Sequence, residues 1–355
     1  MRADAGFSLI EMLLALVLTL VVTTAALALV LPVQGVFEAQ PEAMDMQQRL
    51  RVAADALSRD LTMAGAGTYM DAGAGSLTGV FAPVIPRKVG WTAADPATLA
   101  RADAITITYV PTTFAQTTTS AVFPQAAGLM INTAPNCPWG KAFCGFQSGM
   151  TAVVFDKTAH FDVFTISSLQ AGSAQVQPHS PTMTYTYPAG APVSQVESHS
   201  YYFDAANRQL RQSDGYQSDV PVADNVVALS FDYFGDPNPP TAPRPPVGLG
   251  NCLYDPAGNP TPMATLAGPS DGLVALPLSI FSDGPWCGSG GTQFDADLFR
   301  VRAVRVNLRI QATLSAFRAR ATAFLKPGAS RTSDRYLPDL AATFMIAPRN
   351  LGASR

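Results

Sequence analysis

Twenty consecutive positions, 12–31, carry no charge and are broken only by Thr19, Thr23 and Thr24. At about 1.5 Å per residue such a helix reaches roughly 30 Å, the thickness of a bilayer's hydrocarbon core. Pro32, Gly35 and Pro41 follow. Proline removes a helical donor and clashes with the preceding turn, so a kink or short break is expected over 32–41. A second helix is expected to open at Pro41-Glu42-Ala43-Met44-Asp45, with proline and acids in its first turn. Met46, Leu50, Ala53, Leu57, Leu61 and Ala64 then recur at spacings of three and four, an apolar stripe that reads as packing against a head domain before an oligomer seam. Arg51, Asp55 and Arg59 fall on another face at i, i+4 spacing, suited to solvent. Gly65 and Gly67 close the helix.

Beyond Gly67 the period changes. Segments 104–110, 151–156, 161–169, 182–187, 197–204 and 225–234 are rich in β-branched and aromatic residues, with Gly, Pro and Asn between them. That pattern predicts antiparallel strands, with a hairpin across 201–210. Val304, Val306, Leu308 and Ile310 alternate with Arg305, Asn307, Arg309 and Gln311, the two-residue period of a half-exposed strand. Its arginine row reads as a solvated face before an interaction face. Residues 235–298 are rich in Pro, Gly and Asp with little periodicity, and read as a loop-rich insertion instead of a separate enzyme domain. The fold expected is α+β: a long N-terminal transmembrane and amphipathic helix packed on a mainly antiparallel β-sheet head.

Composition agrees with that picture. Only 14% of the 355 residues are charged and the formal net charge is −3, which gives no electrostatic reason to expect nucleic acid as a partner. Abundant glycine and proline favour short strands and turns over a helical bundle.

One charge stands against the apolar run. Glu11 sits between Ile10 and Met12, and an ionised carboxylate at membrane depth costs roughly 2.5–3.5 kcal/mol on insertion scales. It calls for a partner, and on an isolated anchor none is expected. A secretory signal has a more basic start, a shorter apolar run and a small-x-small cut site after that run. Here Arg2 is offset by Asp4, and the small residue Gly6 precedes the run. A cut after Gly6 makes Phe7 a new N-terminus, whose amine on a neighbouring subunit can pair with Glu11. A carboxylate held near the headgroups, or protonated, is the plainer alternative.

The stretch Gly6-Phe7-Ser8-Leu9-Ile10-Glu11-Met12-Leu13-Leu14-Ala15-Leu16 closely resembles the class III signal of type IV prepilins and pseudopilins. The resemblance implies that a membrane-embedded prepilin peptidase cuts after Gly6, that Phe7 becomes the N-methylated terminus, and that Glu11 sets register in assembly. The phrase Gln47-Gln48-Arg49-Leu50-Arg51-Val52-Ala53-Ala54-Asp55-Ala56-Leu57-Ser58-Arg59-Asp60-Leu61, followed by Ala64-Gly65, is similar to the matching helix of PilW-type minor pilins. J-type pseudopilins of type II secretion share a similar phrase. Segments 200–234, 299–314 and 341–351 resemble the PilW order more loosely, and 235–298 departs from it. The implied organisation is a leader (1–6), a transmembrane helix (7–33), an amphipathic helix (34–67) and a periplasmic or extracellular head (68–355). The implied partners are other pilin subunits, the prepilin peptidase and the inner membrane, with the N-terminus cytoplasmic and the head later on the pilus surface. A head this large suits a low-copy tip or priming subunit better than a major pilin.

Four cysteines remain. Cys137 and Cys144 flank a short loop, while Cys252 and Cys287 bracket the Pro/Gly region. A periplasmic head meets an oxidising environment where disulfides persist. The local pairing is the simplest of three connectivities, and spacing does not fix it. Closing the longer loop is worth roughly 3–4 kcal/mol. Zinc needs C-x-x-C pairs or nearby histidine, and the sequence has neither. His160, His179 and His199 lack ligand spacing and read as surface or packing residues. Asp283, Asp295 and Asp297 share a Gly-rich loop; hard cations want clustered carboxylates, yet the spacing is not that of an EF-hand, so solvated loop acids are expected. No nucleophile elbow, phosphate loop, dinucleotide fingerprint or zinc-protease motif occurs in the sequence. The reading is a structural protein with no catalytic residue, metal or cofactor. Its alternatives are a type II secretion pseudopilin and a membrane-anchored periplasmic enzyme or binding module.

Overall fold

A computed structural model describes residues 8–67, 77, 81–90, 93–111, 115–122, 128–133, 137, 142–156, 160–178, 183–269, 272–288, 293–318, 324–326, 329–330 and 337–351. The architecture is α+β, one long helix with several antiparallel sheets. The chain forms two compact units: Met1–Leu50 with Ile310–Leu340, and Arg51–Arg309 with Ala341–Arg355.

The helix, α1, spans Leu9–Met63. The break expected over 32–41 does not occur, and no helix restarts at Pro41. A proline withdraws only its own N–H from the ladder, at a cost of about 3 kcal/mol, while propagation past a formed nucleus is cooperative. The first unit is held by a small core in which Ala39 and Met46 of α1 pack with Ala312, Phe317 and Leu337. Glu42 accepts the Thr313 N–H and pairs with Arg49 at 3.3 Å, and Arg49 also reaches Asp45 at 2.7 Å.

In the second unit the rest of the stripe does its packing. Ala53, Leu57, Leu61 and Ala64 are fully buried, whereas Arg51, Asp55 and Arg59 are exposed. The helix ends where Gly65 takes φ +74°, a left-handed conformation that side chains disfavour. Gly65 N–H then donates to the Thr108 carbonyl (3.1 Å) and Val110 N–H to the Ala66 carbonyl (2.8 Å). Those bonds tie the end of the helix to the strand Ala104–Tyr109.

That strand belongs to a five-stranded antiparallel sheet, ordered Val84–Ile85, Ala104–Tyr109, Glu197–Asp204, Gln209–Ser213, Asp219–Asp224. A six-stranded antiparallel sheet is ordered Gln116–Thr118, Pro192–Gln195, Thr151–Phe155, Phe161–Gln170, Gln175–Pro178, Leu129–Met130. Its core includes Val154, Phe164, Ile166, Tyr187 and Val193, and the Cys137–Cys144 disulfide sits in the same cluster. The stretch expected as a strand over 182–187 is none over its described residues, 183–187. Thr184 and Tyr185 give their N–H groups to Asp162 Oδ2 (2.9 and 3.2 Å), and the Tyr187 hydroxyl reaches the same oxygen at 2.8 Å. A carboxylate takes the place of a strand partner.

The third sheet is ordered Val274–Leu276, Val226–Gly235, Val301–Ile310, Leu340–Ile346. Val304, Val306 and Leu308 are buried as the alternation requires. On the other face Arg305 lies 4.6 Å over the Phe234 ring and 4.0 Å from Asp232, and Asn307 donates to Asp232 at 3.0 Å. Arg305 is therefore engaged within its own sheet, while Arg309 is exposed. The 235–298 region is part of the second unit and is organised around the buried Arg300. Its guanidinium donates to the carbonyls of Pro237 (2.7 Å) and Ala264 (2.6 Å) and pairs with Asp297. A disulfide joins Cys252 to Cys287 with a Cα separation of 5.0 Å. Loops without strand ladders need such donors for their buried carbonyls.

Candidate functional site

The motif read from sequence lies at the start of α1. Gly6 and Phe7 fall outside the described residues, and Glu11 falls within them. Ser8 N–H donates to Glu11 Oε2 at 3.1 Å, and Glu11 N–H donates to Ser8 Oγ at 3.3 Å. The two residues form a reciprocal capping box. Glu11 therefore has a partner on its own helix, contrary to expectation. The first amides of any helix lack intrahelical acceptors, and a carboxylate at the third position suits both those amides and the positive helix end. The S-x-x-E spacing was legible in the sequence.

From this cap, Leu9–Leu27 forms a 19-residue segment long and apolar enough to cross a membrane, and none of it is buried against the protein. Its threonines do not spoil it. Thr23 donates to the Thr19 carbonyl (2.8 Å), Thr24 to that of Leu20 (2.6 Å), and Thr19 to that of Ala15. Each hydroxyl enters apolar surroundings already satisfied. Such a surface can bury itself in lipid or against other helices.

A second constellation was missed from sequence. Asp60, buried near the end of α1, accepts the Tyr201 hydroxyl (2.7 Å), faces His199 Nδ1 at 2.6 Å, and receives the Tyr109 hydroxyl at 3.2 Å. The Tyr109 hydroxyl also lies 2.8 Å from Glu197 Oε2. Burial works to raise the Asp60 carboxyl, but the bonds from His199 and Tyr201, with the histidine's charge and Tyr109, overcome it and hold the pKa below 3.8. For His199 burial works downward, and the bond to and charge of Asp60 outweigh it, leaving the pKa above 6.5. Two signals pointed here: an acid on the apolar side of the stripe, and Glu197, His199 and Tyr201 at two-residue spacing on one strand face.

The other candidates fare differently. His160 lies 3.3 Å from Asp156 and stacks on Tyr185 at 4.1 Å between ring centres, a packing role. His179 lies outside the described residues. Asp283, Asp295 and Asp297 do gather, with one oxygen of each within 4.8 Å of the others. They are not all solvated loop acids, however, since Asp295 and Asp297 are buried. Asp295 caps a short 3-10 turn by accepting the Asp297 N–H and also accepts the Gly284 N–H at 2.6 Å, while Asp297 pairs with Arg300. Burial, with its acidic neighbours, pushes the Asp297 carboxyl up to about 6 despite Arg300. Turn geometry has turned loop acids into internal acceptors.

Residues 1–27 match the family model described as the prokaryotic N-terminal methylation motif. No curated protein and no solved structure matches the chain. The motif, with the apolar helix behind it, marks a prepilin-like protein and fits a membrane anchor. It implies processing by a prepilin peptidase and assembly with other pilins.

Proposed function

We propose that the chain is a minor pilin of a type IV pilus, of PilW type, with a structural task in tip or priming assembly and no catalytic one. The observation that carries the reading is the bare apolar segment Leu9–Leu27 directly behind Gly6-Phe7, in a chain whose buried core lies elsewhere. The prepilin peptidase cuts after Gly6 and Phe7 is methylated. Before assembly the helix spans the inner membrane with its N-terminus cytoplasmic and its head periplasmic. In the filament, bare helices cover one another. Ser8 occupies Glu11 Oε2, which leaves Oε1 for the amine of a neighbouring Phe7. The looser PilW-like order of segments 200–234, 299–314 and 341–351 supports a pilus subunit over a type II secretion pseudopilin.

Blotting of sheared surface pili and of membranes from the native host tests the proposal. The chain is expected in the pilus fraction. Glu11→Ala is expected to leave the membrane level unchanged and to lower the pilus fraction roughly tenfold, the effect of losing about 1.4 kcal/mol. Undiminished incorporation of that variant contradicts the reading. Absence from pili, together with failed protein secretion in a deletion strain, assigns the chain to type II secretion.

A further inference from the structure

Within the second unit, residues 148–151, 195–199 and 214 line an open cleft of about 360 Å³, in the size range of sites for one small group. Several of its donors are spent internally. The Ser148 hydroxyl donates to the Ser167 carbonyl at 2.6 Å, Gly149 N–H to that of Ile166 at 2.7 Å, and Val196 N–H to that of Thr151 at 3.0 Å. Acceptors are left over. Gln195 Oε1 is buried and receives no hydrogen bond, a costly state for an amide oxygen. Glu197 commits Oε2 to the Tyr109 hydroxyl, and Asp214 gives Oδ1 to the N–H groups of Tyr216, Gln217 and Ser218. Among the described lining residues stand two carboxylates, Glu197 and Asp214, against one imidazole, with no lysine or arginine.

The resident base is His199, whose Nδ1 is held by Asp60. Burial pulls its pKa down, yet Asp60, Glu197 and Asp214 together hold it above the usual value, as a negative potential does. The Asp214 turn is itself fixed: a Cβ at Gly215 would stand 2.2 Å from the Val89 carbonyl oxygen.

We propose that this cleft is a binding site for one cationic hydrogen-bond donor, the ammonium or guanidinium head of a lysine or arginine side chain. A guanidinium carries five donors and no acceptor, the complement of the carboxylate oxygens of Glu197 and Asp214 and the open Gln195 Oε1. A sugar commonly needs an aromatic face, and the described lining has no aromatic side chain beyond the imidazole. A metal ion fits less well. Among the described residues, the one group of three close metal-ligating side chains is at Asp283, Asp295 and Asp297.

The test is a ligand-observed titration of the full chain in detergent with N-acetyl-arginine amide, its neutral isostere N-acetyl-citrulline amide, and spermidine. The arginine amide is expected to bind at least roughly tenfold more tightly than the citrulline amide, and more weakly as salt rises. Glu197→Gln, which keeps an acceptor for Tyr109, is expected to weaken binding. Gln195→Glu is expected to strengthen it, a gain that misfolding does not mimic. Tighter binding of the arginine amide than of spermidine supports a polypeptide side chain as the source, and the reverse supports a free amine. Equal binding of the citrulline amide, no binding of any probe, or indifference to both substitutions overturns the proposal.

Discussion

Residues 9–27 and 53–63 of α1 share one helical backbone yet meet opposite surroundings. The first stretch keeps large apolar side chains exposed, Leu9 by 80% and Leu20 by 61%, and the polar contacts of Glu11, Thr19, Thr23 and Thr24 reach no further than four residues along the helix. The second buries Ala53, Leu57 and Leu61 and places one acid, Asp60, under three side chains from 49 to 141 residues away. The difference lies in composition around the helix axis. A helix apolar on every side has no face to give to water and belongs in lipid or inside a helix bundle. A striped helix belongs on a sheet. Mutations can therefore separate anchor from head.

Asp60→Ala should have the largest effect. It leaves Tyr109, His199 and Tyr201 without their shared acceptor, and removing one member of a buried charged network costs on the order of 3–5 kcal/mol. Thermal unfolding of the head should show it as a clear drop in Tm. Leu57→Ala comes next, at about 2–5 kcal/mol for a fully buried leucine, read by denaturant titration with an unchanged slope.

The effect of pH is smaller, because the packing survives. Asp60 has a lowered pKa, so its contribution is complete above about 3.8 and is lost as pH falls through the folded value. His199 has a raised pKa, so its contribution is complete below about 6.5 and is lost as pH rises through the folded value. Arg59 of α1, Tyr109, Tyr201 and Glu197 of the sheet, and Asp214 in its turn complete the charged surroundings. The stability difference between the native chain and His199→Gln should be greatest between those two values and shrink above them. A flat difference from pH 5 to 9 would count against a charged pair. Smallest of all, Leu16→Ala should move head stability by less than about 0.5 kcal/mol, since its side chain touches water or lipid and no core.

Much of this was legible in sequence for physical reasons. The span, the stripe and the Val304–Ile310 alternation are local periodicities, which burial enforces directly. What was not legible is what distance hides. Asp60 pairs with residues brought to it by strand register, where Ile107 stands opposite His199 and Tyr109 opposite Glu197. The satisfied interior of 235–298 hangs on Arg300, whose acceptors at Pro237 and Ala264 follow no period. The continuity of α1 through Pro41 shows local propensity yielding to helix cooperativity. At the anchor the cleavage motif could be read because it is short, whereas the equally short Ser8–Glu11 capping box was passed over.

Intact-mass spectrometry of the chain extracted from membranes of its native host tests the central claim most directly. The account predicts a polypeptide that begins at Phe7 and is heavier than the bare chain by one methyl group. A protein that still carries Met1 through Gly6 where a working prepilin peptidase is present, or one cut beyond Leu31, contradicts it.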